Sequence, residues 1–293
     1  MPAPLDIIRL CNPAPPLRDF VRFYAHRQVR VDAAPVVHPV PARAFPILEF
    51  IFRDRIQVLH SGDARVGVSP RAVVIGPQTH CHSKLKFQGA IDCFVIIFQP
   101  AGLHRLFSIP IQELTNRAHE AHSVLGAFVT QLEEMLGNCG KFSERVRIAD
   151  QYLLPHSLKS ASLDRVSVAA NEILSASGNA RVGDIAASSG LSVRQFERSF
   201  VRQHGVNPKL FARIVRFEAA LDSKARSSSK SWTDVAHEFG YYDQMHMVHD
   251  FDAFTGGTPT KILGEVEILF RDRIQAIRSG KRSSPGGDLQ LIL

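Results

Sequence analysis

The sequence predicts an α+β protein of two domains: a β-rich N-terminal domain with helices, then an all-α C-terminal domain. Three observations lead there. Aromatic and β-branched runs crowd the first hundred residues. Beyond Ser162 no run reads convincingly as a strand, and apolar residues recur at helical spacing. Within that helical stretch one set of landmark residues occurs twice. A chain of 293 residues suits about two domains. With 45% hydrophobic and 22% charged residues, its composition is that of a globular protein rather than a disordered one.

The expected strands are 45–52 (Phe45 to Phe52), 55–60 (Arg55 to His60), 72–75 (Ala72 to Ile75) and 91–98 (Ile91 to Phe98). Arg53-Asp54 between the first two fits a tight hairpin. Several short strands broken by Gly, Pro and Asp point to a small barrel or sandwich. After Pro100 the pattern turns helical. Gly102 to Phe107 makes a short helix. Val124, Phe128, Leu132 and Leu136, at steps of four, mark a helix from about Ala121 to Leu136. Another is expected from Ser143 to about Leu154. The polar, Ser-rich stretch from Pro155 to Ser162 is the expected boundary between domains over 1–158 and 163–264. The segment 265–293, rich in Ser, Gly, Pro and basic residues from Ser279 to Gly287, is expected to be a partly disordered tail.

Several functional classes are disfavoured at once. No apolar run approaches the ~20 residues of a membrane helix, and the start lacks the basic and apolar regions of a signal peptide. Cys11, Cys81, Cys93 and Cys139 are scattered without a CxxC pair, as in reduced thiols of a cytoplasmic protein. No GxSxG, phosphate-binding glycine loop or HExxH is present, so no catalytic residue and no cofactor are assigned. His80-Cys81-His82 would place two imidazoles on one strand face. Lys84, Lys86 and Gln88 follow where a carboxylate ligand would be needed, and no metal is assigned.

The net charge is +7, unevenly spread. Residues 181–230 hold ten Lys or Arg against four Asp or Glu, whereas 231–264 hold one against five. This asymmetry divides the two copies of the repeat. Asp184-Ile185-Ala186-Ala187-Ser188-Ser189-Gly190-Leu191-Ser192 matches Asp234-Val235-Ala236-His237-Glu238-Phe239-Gly240-Tyr241-Tyr242 at an offset of 50. After the turn the offset becomes 51, pairing Phe196 with Met247, Phe200 with Phe251, Gly205 with Gly256 and Pro208 with Pro259. Each copy has the logic of a helix-turn-helix. A small alanine admits a second helix, a glycine four residues on permits a positive φ, and a second helix follows. In the first copy Ser192 stands at the N-cap. Val193, Phe196, Phe200 and Val201 form its apolar stripe. Arg194, Arg198 and Arg202 line the opposite face at steps of four, beside Gln195 and Ser199. Guanidinium groups so placed neutralise phosphates or read guanine, and Gln reads adenine, in the major groove of duplex DNA.

These residues resemble the AraC/XylS family of bacterial transcription regulators over about 100 residues. The resemblance rests on Ser192, Phe196, Arg198, Phe200, Gly205, Pro208 and Phe211, on Arg216 and Ala220, and on Gly240-Tyr241-Tyr242-Asp243-Gln244 through Phe251 to Gly256-Gly257-Thr258-Pro259. It implies two helix-turn-helix units joined by one long helix, roughly Pro208 to Arg226. The two recognition helices would then lie in successive major grooves, ~34 Å apart. Lys209, Arg213 and Arg216 make the joining helix basic. The second unit departs from the family, with His249, Asp252 and Ala253 where basic residues are common. Its recognition helix offers Gln244, His246 and His249 but neither Arg nor Lys. Asp250 and Asp252 would repel phosphate if they faced it. The first unit is therefore expected to anchor DNA and the second to tune selectivity.

Phe98-Gln99-Pro100-Ala101-Gly102-Leu103-His104-Arg105-Leu106-Phe107, with Glu113 to Arg117, resembles an N-terminal domain often found ahead of such DNA-binding domains, over roughly Pro15 to Leu154. It implies a cupin-like barrel with a ligand pocket, a dimer surface, or both. The expected function is sequence-specific DNA binding and transcriptional regulation in the cytoplasm of a bacterium, governed by a small-molecule effector. Partners would include promoter DNA, a second copy in a homodimer and, for an activator, RNA polymerase. Two alternatives stay open: an N-terminal domain that only dimerises, and a cupin-type enzyme with a helical appendage.

Overall fold

A computed structural model describes residues 5–62, 66–160 and 163–269. The N-terminal half is built on one antiparallel sheet of eight strands. These are β1 (Leu5–Cys11), β2 (Val21–Pro39), β3 (Ile47–Ile51), β4 (Gln57–His60), β5 (Val66–Val68), β6 (Ala72–Ile75), β7 (Ser83–Phe98) and β8 (Ala118–Glu120). The bonding order is β1-β2-β7-β3-β6-β8, with β4 joining β7 and β5. The path runs from β1 to β8 without closing. The sheet nonetheless curls, because all eight strands line one cavity of about 280 Å³. The barrel expectation thus takes the form of a curled sheet.

Long β7 organises the sheet. Its first half pairs with β4 and its second half with β3, while β2 runs along most of its length. β3 and β4 therefore do not form the hairpin expected at Arg53-Asp54. They sit end to end on the same neighbour, so their hydrogen bonds go to β7 rather than to each other.

Alternation along the strands buries both faces. Phe23, Ala25, Val29, Cys93, Val95 and Ile97 face the concave side. Tyr24, Leu48, Phe50, Phe94, Ile96 and Phe98 face a helical layer. That layer comprises α1 (Gly102–Phe107), α2 (Ala121–Leu125), α3 (Ala127–Gly137) and α4 (Phe142–Lys159). The single helix expected from Ala121 to Leu136 is divided at Gly126, whose φ of 59° ends one helix and begins the next. α4 runs through Pro155 to Lys159, past the expected end at Leu154, and its inward Arg145 fixes it to the sheet. Arg145 donates to Asp92 at 2.7 Å, and Asp92 also meets His26 at 2.9 Å.

Past Ser162 every described element is helical: α5 (Arg165–Ser175), α6 (Val182–Ser188), α7 (Val193–His204), α8 (Pro208–Arg226), α9 (Trp232–Glu238), α10 (Gln244–Thr255) and α11 (Pro259–Leu269). α8 is the expected joining helix, started by Pro208 and capped by Asn207, whose side chain accepts from the Leu210 N–H at 2.8 Å. Phe211, Ile214, Val215 and Phe217 place its buried faces against both helix pairs. The expected tail begins inside α11; its remainder, 270–293, lies outside the described residues.

The two halves share a core, since the concave apolar face of the sheet and the helical core form one cluster. Hydrogen bonds cross the junction. The Thr115 hydroxyl donates to the Gly205 carbonyl at 2.7 Å, Ala42 N–H to the Phe254 carbonyl at 2.8 Å, and Ala44 N–H to the Glu218 carboxylate at 3.4 Å. No helix among the described residues is long and apolar enough to cross a membrane.

Candidate nucleic-acid interface

Each copy of the repeat folds as a short helix, a turn and a longer helix: α6 and α7, then α9 and α10. The turn glycines take the conformation that the sequence demanded, with φ of 65° at Gly190 and 66° at Gly240. A Cβ at Gly240 would lie 2.3 Å from the Asn179 side-chain oxygen, so alanine there would displace that side chain as well as strain the backbone.

α7 starts with a reciprocal capping box. Ser192 accepts from the Gln195 N–H, and Gln195 accepts from the Ser192 N–H at 3.1 Å and from its hydroxyl at 2.9 Å. Phe196 and Phe200 are buried in the core, and Val201 is half-buried. Val193, expected in the same stripe, is 64% exposed: the first helical residue lies beyond the reach of the core. Arg194, Arg198 and Arg202 stand in one outward row, exposed and without an ion pair among the described residues. Ser199 is half-buried beside them. Of the expected DNA contacts in this unit, the three arginines are the unencumbered ones. Ser192 and Gln195 hold the helix start.

Lys209 is exposed on the first turn of α8. Arg213 is half-exposed but committed: its guanidinium bonds Asp250 at 2.6 Å and 3.1 Å, tying α8 to α10. Arg216 donates to the Gly178 carbonyl at 3.0 Å and lies over the Tyr241 ring. The positive charge of α8 thus serves the helical scaffold as well as its surface.

In α10, Asp243 caps the helix by accepting from the His246 N–H at 2.7 Å. Met247, Phe251 and Phe254 are buried, and so is Asp250 between them, which answers whether it faces phosphate. Gln244 is exposed, with its side-chain oxygen accepting from the Thr233 hydroxyl of α9 at 2.9 Å. His246 packs edge-on against Tyr241 and meets the Tyr242 N–H at 3.4 Å. His249 and Asp252 are exposed on the outward face. Sequence reasoning missed the apolar groups on this surface: Met245 is 58% exposed and Tyr242, just before the cap, 89%. Outward position within the helical period could have found Met245, which precedes the exposed His249 by four.

A second concavity lies between the halves. A cavity of about 640 Å³ is bounded by Arg22, Phe23 and Phe45 on the sheet side and by Val215, Glu218 and Asp222 of α8. Burial here pushes the Glu218 carboxyl up to about 7, against the opposing pull of Arg22, the Ala44 N–H and Arg43. Among the described residues, no three His, Cys, Asp or Glu side chains are placed to hold a metal ion. His80 and His82 are neighbours, with ring centres 5.2 Å apart.

Comparison with known proteins gives two family matches. Residues 185–264 match a family described as "Helix-turn-helix domain", of the AraC type, and residues 9–120 match a domain of unknown function (DUF6597). No curated protein matches the chain. Among solved structures, ToxT from Vibrio cholerae O395 is similar at 12% identity and a TM-score of 0.46, over 86% of this chain and 98% of that one. A ToxT from Vibrio cholerae strain SCE256, bound to unsaturated fatty acid, is similar at 10% identity and a TM-score of 0.45, over 90% and 96%. The AraC-like transcriptional activator CuxR is similar at 13% identity and a TM-score of 0.29, over 90% and 79%.

Proposed function

From a chain that carries an AraC-type helix-turn-helix domain behind a DUF6597 domain, we propose a transcriptional regulator that binds a specific promoter sequence and answers to a small molecule. One observation carries the reading: two helix-turn-helix units share the α8 scaffold and each presents an exposed helix face, the first bearing Arg194, Arg198 and Arg202. Three guanidiniums on one row suit phosphates and guanine edges. In this reading residues 163–264 bind DNA, with Ser192, Gln195, Ser199, Lys209, Arg213, Gln244, His246 and His249 supporting the arginines, and residues 1–158 sense or pair.

The effector site of this proposal is the cavity at the junction. Its size falls within the range of small-molecule pockets. A ligand there touches the sheet and α8 together. It therefore favours one arrangement of the halves over another, as a signal must. The bonds that would change are well placed: Gly205 ends α7 and Phe254 lies in the last turn of α10, so the N-terminal half holds the C-terminal end of both recognition helices.

Selection of bound duplexes from a random DNA pool tests the reading. It should enrich one site with two information-bearing segments about one helical turn apart. A palindromic pair of such sites would report a homodimer, the form in which an activator would also meet RNA polymerase. Failure to enrich any sequence would overturn the proposal. A metabolite screen by thermal shift tests the effector, since a ligand of the folded state raises the melting temperature.

A further inference from the structure

The outward face of α10 raises a question of chemistry. A DNA-reading helix normally offers cations or amides, and here those groups are scarce or engaged. The Gln244 oxygen is held by Thr233, and His246 is packed on Tyr241 and the Tyr242 N–H. What the helix start offers to the outside is instead apolar. Tyr242 is the most exposed of the large hydrophobic side chains among the described residues, and Met245 is 58% exposed beside it. Met245 occupies the place that Arg194 holds in α7, and His249 and Ala253 the places of Arg198 and Arg202. Keeping such surface in water is unfavourable in proportion to its area, and burying both side chains against a partner would recover it.

We propose that Met245 and Tyr242 are specificity-determining residues that read thymine methyl groups in the major groove. The inference rests on the DNA-binding reading above and names the chemistry of its second unit. Thymine is the base that presents an apolar group to the major groove, where its C5-methyl sits beside the O4 acceptor. A flexible thioether suits such a contact, because it fits irregular apolar surfaces. Duplex DNA is favoured over a protein partner because the two side chains stand at the N-terminal end of the second helix of a helix-turn-helix, where base edges are met. The acidic Asp252 further along the same face fits this division, since it suits a helix that approaches DNA by its start rather than along its whole length. The second segment of the site is thus predicted to be rich in A·T pairs with thymines facing α10, while the first carries the guanines read by α7.

The test uses the full chain and the duplex enriched from the random pool, synthesised in three forms: with thymine throughout, with deoxyuridine in the second segment, and with deoxyuridine in the first. Deoxyuridine keeps the pairing and removes only the methyl group. The expected result is a loss of about 4-fold per contacted methyl in the second-segment form and a smaller one in the first-segment form, with Met245→Ala reducing the second-segment difference and the double variant Tyr242→Ala, Met245→Ala abolishing it, while the salt dependence of binding is kept. Equal affinity for thymine and deoxyuridine forms would overturn the proposal. So would a Met245→Ala protein that retains the full preference, or one whose DNA binding is unchanged in every respect, which would assign the patch to a protein partner. Failure of the wild-type chain to enrich any duplex is a different result and would strike the DNA-binding reading itself.

Discussion

α7 and α10 are the same structural part executed in two chemistries. Both begin at a side-chain cap, Ser192 or Asp243. Both bury a phenylalanine at equivalent depth, Phe200 or Phe251. Both end at a left-handed glycine, with φ of 78° at Gly205 and 70° at Gly256. Even the buried polar residue of the last turn is matched: His204 contacts the carbonyl of Phe200, and Thr255 donates to that of Phe251. The outward rows differ completely, Arg194-Arg198-Arg202 against Met245-His249-Ala253. Fold landmarks and outward surface chemistry therefore occupy separate positions of the helix, and the second can change while the first stays. Under the proposed function, this arrangement would separate electrostatic hold, set by phosphates neutralised, from base discrimination by contact.

The sharpest test of the shared frame lies in its one large asymmetry. α10 buries Asp250 where α7 has half-buried Ser199, and Arg213 of α8 supplies the counter-charge. Removing the partner leaves a carboxylate whose second oxygen already lacks a hydrogen bond among the described residues. Arg213→Ala should destabilise the helical half by about 3 kcal/mol, the lower end for a broken buried pair because Arg213 is half-exposed. Replacing both partners by apolar residues should recover much of that loss. Thermal unfolding of the single and double variants checks this. If Arg213→Ala melts with the wild type and instead weakens DNA binding, the arginine belongs to the interface rather than the frame.

The outward rows are compared next. Arg194→Ala should cost roughly 1–3 kcal/mol of binding if it reads a base, or lower the slope of log affinity against log salt by about 1 if it holds a phosphate. His249→Ala should change affinity by less than about 3-fold and leave the slope nearly alone, since the anchoring charge sits in the arginine row of α7. Equal losses from the two substitutions would break the division between anchoring and tuning.

How far these differences could be read from sequence depends on which physics set them. The repeat, the turn glycines, the Pro208–Arg226 helix and the outward arginines follow from local rules of period, cap and φ. Asp250 was ambiguous as a charge but not as a position: it falls three after Met247 and four before Phe254, inside the buried stripe. Val193 failed because a helix start is not yet enclosed by its neighbours. In the N-terminal half, β2 was missed over its whole length and β7 over its first half. The apolar alternation of β2 is interrupted by Arg27, Gln28 and Arg30, and its register with β7 shifts between Val31 and Val36. The end-to-end seating of β3 and β4 on β7, and the bonds from Thr115 and Ala42 into the helical half, join residues far apart in the chain. No local pattern encodes such pairs.

The smallest expected effect distinguishes the two last turns. His204 is fully buried, stacks on Phe200, and has its Nε2 without a partner among the described residues. Burial pushes this imidazole down to about 4, so the folded state keeps it neutral where an unfolded chain would protonate it. The folded value lies below the unfolded one, near 6.5. The unfolded state therefore binds more protons as pH falls through that range, and the stability held by neutral His204 is lost progressively between about pH 6.5 and 4. Glu218 works in the opposite direction: with a folded value of about 7 above its ordinary 4.5, it favours the folded state increasingly as pH drops from 7 to 4.5. The two partly cancel in the wild type, and only single variants separate them. His204→Thr, which copies the second unit, should remove the His204 contribution, a loss of about 1 kcal/mol between pH 8 and pH 6 that Glu218 masks in the wild type, and so make the variant gain more stability than the wild type over that range. Glu218→Gln should expose that loss unopposed. Identical pH profiles for wild type and His204→Thr would mean that the last turn of α7 opens to water before the rest of the unit, and the equivalence of the two helices would then end at Phe200.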